Sequence, residues 1–196
     1  MSEIRRATAS DLEDVTETLW LAFSGDPLWS WAFPEHARLR ALWRLFVGAA
    51  IPHEWVWMID DGVAAAVWIP PGRKELSPQE EALVEPLLRD LAGPRAPELL
   101  ALFERFEHAH PTDPPHYYLS LLGTRPERRG ESLGMRLLRE NLASIDAERA
   151  PAYLESSNPI NIGRYESVGF IAHGRFMTPD ASREVTTMWR EPAATA

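Results

Sequence analysis

The chain has 196 residues, a formal net charge of −9, and 45% hydrophobic against 25% charged residues, the balance of one ordinary folded domain and not of a disordered segment. The acidic excess argues against a general nucleic-acid binder, whose phosphate contacts need surplus Lys and Arg, and suits a cationic small molecule. The absence of cysteine excludes a disulfide framework, a thiolate zinc site and a cysteine nucleophile.

Residues 1–15 hold no apolar leader, and no run approaches the ~20 apolar residues of a membrane span, so a cytoplasmic protein without membrane contact is expected. Ile4 to Ala7 reads as an opening strand. Ser10 and Glu13 have the spacing of a capping box, and Leu12, Val15, Leu19, Ala22 and Phe23 recur at helical spacing, predicting a helix over 10–24. Residues 25–34 interrupt it. Leu39, Leu42, Trp43, Phe46 and Val47 mark one face of a second helix.

Strands are predicted over 54–59 and 63–69, joined through Asp60-Asp61-Gly62, whose residues tolerate the positive φ of a tight hairpin. Pro70-Pro71-Gly72 ends the second. Ser77 to Glu80, with Pro78 at the first helical position, opens a helix over 78–91, and Gly93-Pro94 separates it from another over 96–109. The acids along this pair read as a solvated face on an insertion that covers one side of the sheet. After the short loop 111–115 come a strand (116–124), a helix (133–148), a strand (152–156), a short helix near 161–167 and two strands (169–177 and 184–190). This order is mixed α/β.

Chemistry concentrates between Leu121 and Leu138. A strand ends, a basic, glycine-containing loop follows, and a helix starts near Leu133. Free N–H groups and the positive dipole end of that helix, with Gly130, Ser132 and Gly134 allowing close approach and Arg128 and Arg129 adding charge, form an anion cradle. A nucleotide P-loop would need Gly-Lys-Ser/Thr, which is missing, and the glycine spacing of a dinucleotide loop also fails.

The loop resembles the acyl-CoA pyrophosphate loop of the GNAT acetyltransferases, Arg/Gln-x-x-Gly-x-Gly/Ala. It stands here as Arg129-Gly130-Glu131-Ser132-Leu133-Gly134, with Ser132 at the first motif glycine. A second block, Asn158 through Tyr165-Glu166 to Gly169-Phe170, is similar to the family's Asn-x6-Tyr-Glu-x-x-Gly-Phe segment. Residues 116–124, 152–157 and 66–69 resemble the puromycin N-acetyltransferase-like branch.

The resemblance implies a GNAT fold over one domain, 1–196, with a helical insertion at about 78–109: a mixed, mostly antiparallel sheet, splayed in the middle and flanked by helices. It implies acetyl-CoA as co-substrate, direct transfer to an amine, and no metal. Backbone groups from Leu122 through Gly123 to Thr124 would pair with pantetheine, and Arg129, Gly130, Ser132, Leu133, Gly134 and Met135 would hold the pyrophosphate. Asn158 and Asn161 would either touch the pantetheine arm or only cap the short helix.

Tyr165 is implied as the general acid that returns a proton to the departing thiolate, against the alternative of a ring packed on the cofactor. Glu155 is a candidate base, or a structural carboxylate paired with Arg164. His116 is a second candidate, acting through a water, or a structural residue. Asp26, Trp31 and Phe33 lie where this fold roofs its acceptor pocket, and an acid among aromatic rings suits a cationic, ring-bearing amine; a core cluster is the alternative. A small-molecule amine is the first expectation for the acceptor. A protein or peptide amine and a non-catalytic CoA-binding role are the alternatives. Family members often dimerise, so a homodimer is admitted without a specified interface.

Overall fold

A computed structural model of the chain describes residues 3–193. The domain expected over 1–196 therefore extends at both ends beyond what is described. Seven strands, β1 (Ile4–Arg6), β2 (Val56–Ile59), β3 (Ala64–Ile69), β4 (Tyr117–Thr124), β5 (Ala152–Ser156), β6 (Ile171–Met177) and β7 (Glu184–Arg190), form one sheet in the order β1-β2-β3-β4-β5-β7-β6. Only β4 and β5 run parallel; the other neighbouring pairs are antiparallel. The helices are α1 (Leu12–Ala22), α2 (Pro27–Ala32), α3 (Leu39–Ala50), α4 (Pro78–Ala92), α5 (Ala96–Ala109), α6 (Leu133–Ala147) and α7 (Ile162–Glu166). No helix among the described residues is long and apolar enough to cross a membrane.

The sheet separates two cores. Alternation along β3 sends Ala65, Val67 and Ile69 to one side, with Leu19, Leu42, Trp43 and Leu102, and Ala64, Ala66 and Trp68 to the other, with Leu137, Leu138 and Ile145 of α6. β4 does not keep a single alternation. Its pairing with β3 passes from Trp68↔Leu119 to Val67↔Leu121, leaving Ser120 as the extra residue of a bulge. Tyr117 and Leu119 therefore face the α6 core, whereas Leu121, two residues further on, faces the α1 core.

Two local readings are corrected. Helix α1 begins at Leu12, and Ser10 and Glu13 form no capping box. Asp11 takes that position instead, accepting from the Thr8 amide at 2.8 Å and from Arg5 of β1 at 2.6 Å. Residues 25–34 contain α2, a six-residue helix with Pro27 at its first position and Asp26 as its cap. The insertion covers one side of the sheet as expected, with Leu99 and Leu102 of α5 fully buried, Phe103 and Phe106 packed on the α1 core, and Glu81, Glu85, Asp90, Glu104 and Glu107 exposed.

Candidate active site

β4 and β5 are paired only from Tyr117↔Ala152 to Leu119↔Leu154. Beyond the Ser120 bulge, β4 keeps β3 on one side and, among the described residues, has no strand on the other, so the parallel pair opens into a V. A cavity of about 560 Å³ occupies that opening. Leu122, Gly123 and Thr124 line its β4 wall, and Leu154, Glu155 and Ser156 line its β5 wall. Gly123 is required for packing: a Cβ there would lie 2.6 Å from the Ala22 Cβ, so α1 rests directly on the β4 backbone.

At one end the cavity meets the loop before α6. Gly130 has φ 89 and Ser132 has φ 57, both in the left-handed region, and the Ser132 side chain makes no capping bond to α6. The first-turn N–H groups at Leu133, Gly134 and Met135 therefore stand at the cavity wall without a side-chain cap. A Cβ on Gly134 would sit 2.8 Å from Thr124 Oγ1, which shows how closely α6 approaches β4. Arg128 is ion-paired to Glu131 at 2.6 Å, while Arg129 donates to the Ala22 carbonyl at 2.8 Å and lines the cavity beside Gly130. Backbone amides, a helix dipole and one arginine outside an ion pair fit a pyrophosphate.

Opposite this cradle stand α7 and the turn before it. Tyr165 lines the cavity and sits edge-on to the buried Phe170 ring, centroids 6.1 Å apart. Gly169, at φ 94, lets the chain turn back so that Phe170 reaches the α6 core. Burial first, then the Asp26 charge, push the Tyr165 phenol up to about 12, so it carries its proton at neutral pH. Asn158 Oδ1 accepts from the Ile160 amide and Asn161 Oδ1 accepts from Arg164, so both asparagines line the cavity while bonded within their own turn. Arg164 thus pairs with Asn161 and not with Glu155.

The remaining end is acidic and aromatic. Asp26 caps α2, accepting from the Leu28 and Trp29 amides at 3.0 and 3.1 Å, and receives the Ser157 hydroxyl. Burial raises its carboxyl above the usual range. The Glu155 side chain is 3% exposed and faces His110 Nδ1 at 3.7 Å. Glu75, from the loop after β3, lines the same end and accepts from the Ser120 hydroxyl at the bulge. Burial pushes it up to about 7, the nearby Glu155 charge adding to the rise. Trp29, Phe46, Phe103 and Phe106 form the wall beyond. Among the described residues, no group of three or more His, Asp or Glu could hold a metal ion.

Three expected acceptor residues lie off the cavity lining. Phe33 is 2% exposed in the α1 core. Trp31 donates from its indole to Asp180 at 2.9 Å, under the Arg95 guanidinium, and so ties α2 to the β6–β7 turn. His116 is buried and bonds to the Pro114 carbonyl and to His110. Conversely, Glu75, His110 and Ser120 went unread in the sequence, because no spacing links a loop, a helix end and a bulge.

No family model matches the chain. Solved structures do. A histone acetyltransferase HPA2-related acetyltransferase from Corynebacterium glutamicum aligns over 100% of this chain and 98% of its own at 23% identity, with a TM-score of 0.68. A Drosophila melanogaster polyamine N-acetyltransferase aligns over 97% and 100% at 16% identity (TM-score 0.69). An Aedes aegypti arylalkylamine N-acetyltransferase aligns over 98% and 99% at 12% identity (TM-score 0.68). The chain has the GNAT fold.

Proposed function

We propose that the chain transfers the acetyl group of acetyl-CoA directly to the amine of a small molecule. The observation that carries this reading is the opening of β4 from β5 beyond Leu119, with an uncapped helix N-terminus at one end and buried carboxyls at the other. Acetyl-CoA supplies the activated acetyl as a thioester. The N–H groups of the α6 first turn and Arg129 would hold its pyrophosphate, and the free edge of β4 from Leu122 to Thr124 would pair with the pantetheine amides as an added strand.

An N–H near Leu122 polarises the thioester carbonyl, and orientation of the amine against it supplies much of the rate. Nitrogen attack forms the C–N bond and, as the C–S bond breaks, expels the thiolate, which takes the Tyr165 phenolic proton; the second proton shed by the attacking nitrogen returns to the phenolate. The ammonium proton goes first to Glu155, so that nitrogen carries a lone pair for attack. The roof made by α2, pinned through Asp26 to Ser157, favours a small acceptor over a peptide lying across the sheet. Polyamine and arylalkylamine acetyltransferases of the same fold support an amine acceptor. Kinship to the puromycin N-acetyltransferase-like branch, read from 116–124 and 152–157, belongs to the same proposal.

Calorimetric titration with acetyl-CoA and with CoA, beside an Arg129→Glu/Gly134→Asp double variant, tests the cradle. Thiol release across a panel of amines and a short peptide then tests transfer. Binding lost in the variant, with turnover of one amine class, supports the reading. Absence of CoA binding overturns it, and binding without turnover leaves a CoA-binding protein.

A further inference from the structure

Behind Glu155 lies a chain of three groups whose proton positions are fixed by their partners. His116 Nδ1 lies 2.8 Å from the Pro114 carbonyl oxygen. A carbonyl only accepts, so this nitrogen carries the hydrogen. His116 Nε2, when the ring is neutral, is then an acceptor, and it lies 3.1 Å from His110 Nε2. His110 must therefore donate from Nε2, which in the neutral ring leaves Nδ1 as the unprotonated nitrogen. That nitrogen faces Glu155 Oε1 at 3.7 Å. The separation exceeds a hydrogen bond, as it must for two acceptors with no proton between them.

We propose that His110 is the proton-accepting partner of Glu155, and that His116 is a positioning residue which sets the His110 tautomer through the Pro114 carbonyl. This inference rests on the acetyltransferase reading, because the proton in question comes from the acceptor amine. The ammonium releases a proton to a Glu155 oxygen, the proton passes to His110 Nδ1, and the neutral amine keeps its electron pair for attack. The imidazolium so formed sits against the Glu155 carboxylate as an ion pair. The His110 side chain is 33% exposed, so it can discharge to solvent, whereas Glu155 at 3% cannot do so directly.

The surroundings fit this division of labour. His110 is faced by Glu155 of β5, His116 before β4, and the rings of Tyr118 and Tyr153, 4.7 and 4.9 Å from its own. Glu75 acts on it from the loop after β3. His116 is wedged among His110, Tyr153 and Trp189, with Glu155 nearby. Burial, outweighing its bond to Pro114, lowers His116 below the usual imidazole range and keeps it neutral.

Long-range proton–nitrogen correlation spectra of the histidine-labelled chain, assigned with His110→Gln and His116→Gln, read the tautomers without any substrate. The expected result at pH 8 is Nδ1–H on His116 and Nε2–H on His110; Nδ1–H on His110 would overturn the proposal. Kinetics supply the second arm, using the fastest acceptor among 2-phenylethylamine, putrescine, agmatine and a tetrapeptide. His110→Gln should lower kcat/KM at pH 7 at least ~10-fold. It should also abolish the rising limb of the pH profile, with acetyl-CoA affinity unchanged.

His116→Phe should displace that limb, whereas His116→Gln, whose amide oxygen accepts the same N–H, should restore it. An unaltered limb in His110→Gln overturns the relay. If no acceptor turns over, the acetyltransferase reading fails, and the tautomer spectra still decide whether the arrangement stands.

Discussion

The Ser157 hydroxyl donates to Asp26 Oδ2 at 2.7 Å, while the other oxygen of the same carboxylate caps α2. One buried side chain thus fixes a six-residue helix, too short to persist alone, and ties it to the end of β5 across the cavity. Asp26→Ala removes both functions and leaves the Leu28 and Trp29 amides without their cap. The expected cost is about 2–3 kcal/mol in denaturant unfolding, against about 1 for Ser157→Ala. In turnover, Asp26→Ala should raise KM for the amine more than KM for acetyl-CoA, because the cap sits at the end of the cavity proposed to take the acceptor. Equal costs for the two variants would show that the cap contributes nothing beyond the Ser157 bond.

Gly134 and Thr124 give the corresponding relationship at the cradle. A methyl group on Gly134 would meet Thr124 Oγ1 at 2.8 Å, closer than van der Waals contact allows. Gly134→Ala should push the first turn of α6 off the β4 edge and weaken CoA binding at least ~10-fold by calorimetry, with unfolding free energy reduced by only about 1–2 kcal/mol. The added variant Thr124→Ala removes the clashing oxygen and should recover most of the affinity. No recovery would assign the loss to the loop backbone instead.

Ser132 carries a cost that its neighbours do not. Its φ of 57 lies in the left-handed region that glycine occupies without a Cβ penalty, and its hydroxyl makes no compensating cap. Ser132→Gly should therefore stabilise the folded chain by up to about 1 kcal/mol and retain CoA binding. A loss of affinity in that variant would show that the hydroxyl itself touches the ligand.

The glycine-bearing blocks at 129–134 and 158–170 were legible in the sequence because they report backbone demands: Gly130 and Gly169 have positive φ, and Gly134 abuts a strand. The box before α1 was assigned to Ser10 and Glu13, whereas Thr8 and Asp11 form it around the short turn Ala9–Asp11, with Arg5 of β1 bonded to the same carboxylate. Helix α2 carried its Asp-Pro signature yet was passed over, since six residues give too little periodicity. The acidic end of the cavity was least legible. Glu155 was read from its strand, but Glu75 and His110 come from a loop and the residue after a helix, and a bulge at Ser120 determines which side of β4 faces them. None of these leaves a local pattern.

Tyr165 separates chemistry from binding. Its phenol, pushed up to about 12, is protonated across the physiological range and packs on the Phe170 ring, with no hydrogen-bond partner among the described residues. Tyr165→Phe keeps that packing and removes only the proton donor. The expectation is a kcat lower by ~10²-fold or more with acetyl-CoA affinity within a few-fold. A variant with full kcat would reduce Tyr165 to a ring packed on the cofactor.

Glu75 makes stability depend on pH in a direction opposite to most carboxylates. Its carboxyl rises from 4.5 to about 7, with burial as the main cause. Between those values the folded chain binds a proton that the unfolded chain has released. The stabilisation this group provides is therefore complete below pH 4.5 and is lost as pH climbs through 7. Glu75→Gln mimics the protonated form at every pH and keeps an acceptor for the Ser120 hydroxyl. The difference in unfolding free energy, variant minus wild type, should grow in the variant's favour between pH 5 and pH 8, by about 3 kcal/mol at most. Comparing the two proteins pair by pair at each pH cancels the titration of Asp26 and His116, which both share. A difference that stays flat across that window would mean that Glu75 is solvated and ionised like a surface carboxylate, and that the acid end of the cavity holds one more negative charge at neutral pH than its burial implies.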